Sequence, residues 1–70
     1  MTGPITDGQL GWIRNNQIGF DVEDMDRVES LTKEQAFDII NRAKSQGYTK
    51  FSSDLGVIKF WKDIKDKIHD

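Results

Sequence analysis

Cysteine is absent from the chain, and histidine and proline each occur once, as His69 and Pro4. Without thiols there is no disulfide framework and no thiolate metal site, so the usual covalent or metal staples of a small domain are excluded. No stretch approaches the roughly 20 apolar residues of a membrane span. The opening Met1-Thr2-Gly3-Pro4 lacks the basic-then-apolar layout of a signal peptide, so the cytoplasm is the expected location. A chain of 70 residues buries only about 60% of the surface it exposes when unfolded, which leaves a marginal core. What is present suits a folded domain: hydrophobic residues are 36%, and the six glycines bring the apolar share close to the globular norm of about 45%.

The net charge of -2 hides a division. Residues 1–40 hold eight acids against three bases, and residues 41–70 hold seven bases against four acids. A chain divided in this way can steer a charged partner, or simply stay soluble.

Three segments carry helical signatures. Thr6-Asp7-Gly8-Gln9 is a Thr-x-x-Gln capping box and predicts a helix over residues 7–17, with Leu10, Ile13 and Gln17 on one side and Trp12 alongside. Gly8 and Gly11 inside it each cost about 1 kcal/mol relative to alanine, so tertiary packing must hold it. Thr32-Lys33-Glu34-Gln35 is a second capping box. The helix it opens, residues 33–46, has Ala36, Ile39, Ile40 and Ala43 as its stripe, Phe37 widening it, Lys44 in the last turn and Gly47 as the stop. The third segment admits two readings. As a helix over 54–68 capped by Ser53, it aligns Val57, Phe60, Trp61, Ile64 and Ile68; as a hairpin, it pairs residues 48–51 with 57–61. The helix fits with no gap in its stripe. The fold class expected is therefore all-α, a compact three-helix domain with a C-terminal hairpin as the alternative. The expected core is Leu10, Ile13, Ala36, Ile40, Ala43, Val57, Trp61 and Ile64, and residues 1–5 and 69–70 are expected to fray.

Between the first two helices lies Gly19-Phe20-Asp21-Val22-Glu23-Asp24-Met25-Asp26-Arg27-Val28-Glu29-Ser30, expected as an acidic loop with at most one helical turn that points Val22, Met25 and Val28 inward. An EF-hand loop requires glycine at its sixth position and an acid at its twelfth, but counting from Asp21 these are Asp26 and Thr32. No metal site is expected.

The runs Ile5-Thr6-Asp7-Gly8-Gln9-Leu10-Gly11-Trp12-Ile13 and Leu31-Thr32-Lys33-Glu34-Gln35-Ala36-Phe37-Asp38-Ile39-Ile40 resemble a small helical module of uncharacterised families. In those families a T-x-x-Q-x-x-[YW]-I helix precedes an L-[TS]-K-x-[EQ]-A-x-x-x-I helix. Such modules occur as short phage and bacterial proteins, or as tails of phage recombination and replication proteins. The resemblance spans residues 5–47, supplies no catalytic residues, and implies a setting near nucleic-acid machinery.

Catalysis is not expected. His69 is penultimate, the hydroxyls of Thr6, Thr32, Ser52 and Ser53 sit at caps or loops, and no glycine-rich phosphate loop is present, so neither an enzyme nor a cofactor is indicated. Nucleic-acid binding could draw on Arg42, Lys44, Lys50, Lys59 and Lys62. However, Lys59–Asp63 and Lys62–Asp66 fall at i, i+4 and should neutralise each other, and a pI of 5.2 is far from a basic footprint. Protein binding could use the aromatic residues Trp12, Phe60 and Trp61, or the acids Asp21, Glu23, Asp24, Asp26 and Glu29 acting as a phosphate mimic. A stripe at 57, 61, 64 and 68 also permits a homodimer, although it is short of the usual three or four heptads. The reading that emerges is a non-enzymatic binding protein of phage or mobile-element type that engages and modulates a host protein, with an accessory nucleic-acid module as the alternative.

Overall fold

Reciprocal side-chain caps start three of the four helices in the computed structural model, which describes residues 3–50, 52 and 54–69. In α1, Asp7–Asn16, the Thr6 hydroxyl accepts from the Gln9 N–H at 3.1 Å and the Gln9 side chain accepts from the Thr6 N–H at 3.0 Å. The same exchange between Thr32 and Gln35 opens α3, Lys33–Gln46. The Gln9 amide also donates to the Lys33 carbonyl at 3.2 Å, tying the starts of α1 and α3 together.

The third box is Asp21 with Asp24, and it corrects the expectation of an acidic loop. Asp21 accepts from the Asp24 N–H at 2.9 Å, Asp24 accepts from the Asp21 N–H at 3.0 Å, and the chain continues as α2, Val22–Glu29. Carboxylates at the first turn also complement the positive end of the helix dipole. Of the apolar side chains of α2 only Val28 reaches the interior fully; Met25 is half-buried and Val22, expected inward, is 79% exposed. The domain is therefore all-α, and the described residues form four helices rather than three.

At the end of α3, Gly47 adopts φ 72°, a left-handed conformation that glycine enters without a Cβ penalty. It lets the Tyr48 N–H reach back to the Ala43 carbonyl at 2.9 Å, a Schellman closure. α4 runs Gly56–Ile68, so residues 57–61 are helical and the hairpin alternative falls. It starts two residues later than expected because Asp54, not a hydroxyl at the cap, accepts from the Gly56 N–H at 2.8 Å. Ser53, the expected cap, lies outside the described residues, as does Phe51.

α1 packs on α3 and on α2, and α2 packs on α4. The interior is Ile13, Val28, Ala36, Ile39, Ala43, Val57, Trp61 and Ile64. Leu10 and Ile40, expected there, are only half-buried; α3 turns Ile39 inward in place of Ile40, and its expected stripe-widener Phe37 is 63% exposed. Trp61 is fully enclosed, with its indole N–H donating to the Tyr48 carbonyl at 2.9 Å and its ring edge-on to Phe20 and Phe60 at 5.8 and 5.2 Å. Burying an indole requires such a partner for its N–H. Residues 3–5, placed above among the fraying ends, are hydrogen-bonded across the start of α3: the Lys33 N–H donates to Gly3 at 2.8 Å and the Ile5 N–H donates to Leu31 at 3.1 Å. Among the described residues no helix is long and apolar enough to cross a membrane.

The helical glycines should respond oppositely to alanine. A Cβ at Gly8 or Gly11 meets no atom within 4 Å, whereas one at Gly56 would lie 2.6 Å from the Tyr48 hydroxyl. Gly8→Ala and Gly11→Ala are each expected to stabilise the fold by about 0.5–1 kcal/mol, and Gly56→Ala to destabilise it. Urea unfolding followed by far-UV circular dichroism measures all three; a stabilising Gly56→Ala would contradict the close approach.

Candidate functional site

The side chains of α2 divide between two tasks. Asp24, expected to belong to an exposed acidic face, is 2% exposed and turned toward α4. It meets Lys65 Nζ at 3.3 Å and the His69 Nε2, in addition to the Asp21 N–H. Lys65 donates onward to the Gly19 carbonyl at 3.4 Å. The expectation for Asp24 is thus corrected: a carboxylate enclosed by Lys65 of α4 and by His69 just past its end is an internal clasp, unavailable to a partner. His69, placed at a fraying end by its sequence position, is part of that clasp.

This environment holds the Asp24 carboxyl well below the usual carboxylate range. The Asp21 N–H contributes most, burial opposes it, and His69 and Lys65 add to the lowering.

The remaining acids face outward. Asp21, Glu23, Asp26 and Glu29 are all exposed, and Val22 stands among them. Beside them opens a shallow groove of about 510 Å³ floored by Phe20, Val22 and Met25 and rimmed by Asp21, Asp26, Glu29 and Arg14. Arg14 approaches Glu29 at 3.9 Å with both side chains more than half exposed, a contact worth little in water.

The expected aromatic contact residues separate. Trp61 is wholly internal and so cannot meet a partner. Trp12 is half-buried with Lys44 Nζ 5.7 Å from its ring centre. Phe60 is half-buried against Tyr48, their rings 5.4 Å apart.

The five basic residues of the nucleic-acid reading also occupy different places. Arg42 and Lys59 line a groove of about 300 Å³ between α3 and α4 together with Lys67. Lys44 lies over Trp12, Lys50 is exposed on the connection to α4, and Lys62 borders a hollow with Ile18, Ile58 and Lys65. Among the described residues neither Lys59–Asp63 nor Lys62–Asp66 closes to an ion pair, so the expected mutual neutralisation is not realised by contact; the ion pairs that do form are Arg14–Glu29, Arg42–Asp38, Lys65–Asp24 and His69–Asp24. No group of three or more metal-ligating side chains converges among the described residues.

No family model, curated protein or solved structure matches this chain. Its site is therefore read from its own residues. Sequence reasoning missed the exposed apolar side chains Val22, Leu55 and Ile58, which are 79%, 84% and 57% exposed. For Val22 the signal was the Asp21–Asp24 pair three residues apart, which fixes Val22 as the first residue of a helix and so sets which way it points.

The clasp makes a prediction about acid. Because the Asp24 carboxyl titrates lower in the folded chain than its reference value of about 3.8, its contribution is complete above that reference and is lost as the pH falls through the folded value. Thermal melts between about pH 5 and pH 2 should show Asp24→Asn losing stability less steeply on acidification than the parent, from a lower value at pH 5. Equal slopes would refute the assignment.

Proposed function

We propose that this chain is a non-enzymatic binding module whose α2 face engages a basic, apolar-bearing surface of a host protein, one that itself acts on nucleic acid. The observation that carries the reading is Val22, 79% exposed at the first turn of a helix on which the exposed acids Asp21, Glu23, Asp26 and Glu29 outnumber the one exposed base, Arg27. An apolar centre inside a charged rim is how interfaces are built. Carboxylates spaced along one short helix present a run of negative charge to a surface that otherwise accepts phosphates, and complementary charge accelerates encounter. The resemblance to phage and bacterial modules supplies the setting: a small protein of mobile-element type, working in the host cytoplasm and modulating its target by occupying the target's basic surface.

Asp24 must be left intact in the test, since the clasp depends on it. Immobilised chain is expected to retain a discrete protein from host lysate after nuclease treatment. The pair Glu23→Lys and Asp26→Lys should reduce its recovery by about tenfold or more, the loss of about 1.4 kcal/mol or more of binding, with Val22→Ser also weakening it and neither variant lowering the melting temperature appreciably. Recovery that disappears with nuclease, or that survives the charge reversal, would overturn the reading.

A further inference from the structure

A second surface, independent of α2, is built on the other side of the charge division. The groove between α3 and α4 has Tyr48 and Phe60 as its aromatic wall, their ring centres 5.4 Å apart and their planes at 47°. Arg42, Lys59 and Lys67 stand around it against one carboxylate, Asp63. Among the described residues Lys59 and Lys67 form no ion pair, and Arg42 meets Asp38 through Nε at 3.2 Å, which leaves most of the donors of its guanidinium uncommitted by that contact.

The aromatic wall is fixed before any ligand arrives. Tyr48 is held by its N–H on the Ala43 carbonyl and by its own carbonyl on the Trp61 indole. Its hydroxyl lies against Gly56, where any side chain would collide with it, so the missing Cβ at the start of α4 seats the ring at the groove. Phe60 is locked edge-on to Trp61. A rigid pair of rings flanked by cations suits a planar aromatic group carrying an anion, since the rings offer stacking and the side chains offer charge. The volume, about 300 Å³, is at the low end of ligand sites and admits one such unit.

We propose that the α3–α4 groove binds a single nucleotide, its base against Tyr48 and Phe60 and its phosphate toward Arg42, Lys59 and Lys67. The nucleotide is either free or one unit of a single strand, and the chemistry of recognition is common to both.

Proton–nitrogen NMR titrations in about 50 mM salt distinguish the sources, using thymidine monophosphate, a short oligothymidylate and inorganic phosphate as probes. A nucleotide probe should shift the amides of Tyr48, Gly56, Lys59 and Phe60 saturably, and the effect should weaken in higher salt. Lys59→Ala with Lys67→Ala, both exposed positions, should weaken binding about tenfold, and Tyr48→Leu, which keeps the backbone carbonyl for Trp61, by a similar factor. Tighter binding of the oligothymidylate assigns the groove to a strand, and equal binding assigns it to a free nucleotide. Glu23→Lys with Asp26→Lys, which tests the α2 surface, should leave these shifts in place. No saturable shift from either nucleotide probe, an equal response to inorganic phosphate alone, or shifts centred on α2 would overturn the proposal.

Discussion

Asp24 is the residue on which the arrangement of the molecule depends. One carboxylate closes the capping box of α2, receives Lys65 and His69 from the far end of α4, and is withdrawn from water while doing so. Removing one member of such a cluster leaves a buried charge without compensation, which is why buried pairs are sensitive to truncation even when their net contribution is modest. Its geometric effect is greater than its energetic one. With Asp24 turned inward, the rotation of α2 about its own axis is set, and Val22, Glu23 and Asp26 have nowhere to point but outward.

What could be read in the sequence was local, and what could not be read was long-range. The Thr6–Gln9 and Thr32–Gln35 boxes are complete within four residues, and α1 and α3 begin where they dictate. The stripe of Val57, Trp61 and Ile64 likewise carried its own period and placed all three in the core. Asp21–Asp24 follows the same geometry with carboxylates in both roles, but a second acid at the inward position is tolerable only because Lys65 and His69 arrive from more than 40 positions away. Without them an acid-rich segment reads as a solvated loop. The exchange of Ile40 for Ile39 has a similar origin: both lie on the apolar side of α3, and which of two adjacent residues turns fully inward is decided by what packs above it. Of the acidic residues singled out from sequence, four are on the surface and one is the clasp; of the aromatic ones, Trp61 went wholly to the interior.

The separation of charge along the chain also acquires a structural meaning. Lys65 belongs to the basic half and Asp24 to the acidic half, so the two halves are stitched where they meet, at the junction of α2 and α4. The charges left over are displayed on different surfaces, carboxylates along α2 and the cations Arg42, Lys59 and Lys67 around the α3–α4 groove. A net charge near neutrality therefore describes neither surface that a partner would meet.

A domain with no disulfide can present two such surfaces only if each is braced by the core it rests on. On the α2 side the brace is the Asp24 clasp. On the α3–α4 side it is Trp61, whose indole N–H fixes the Tyr48 carbonyl while its ring meets Phe20 and Phe60 at near right angles. Phe20 in turn floors the groove beside α2, so the fully buried Trp61 touches a ring belonging to each surface. Interiors packed at crystal-like density transmit displacement instead of absorbing it. The two surfaces therefore share a mechanical support, even though their charges, and the partners those charges suit, are opposite.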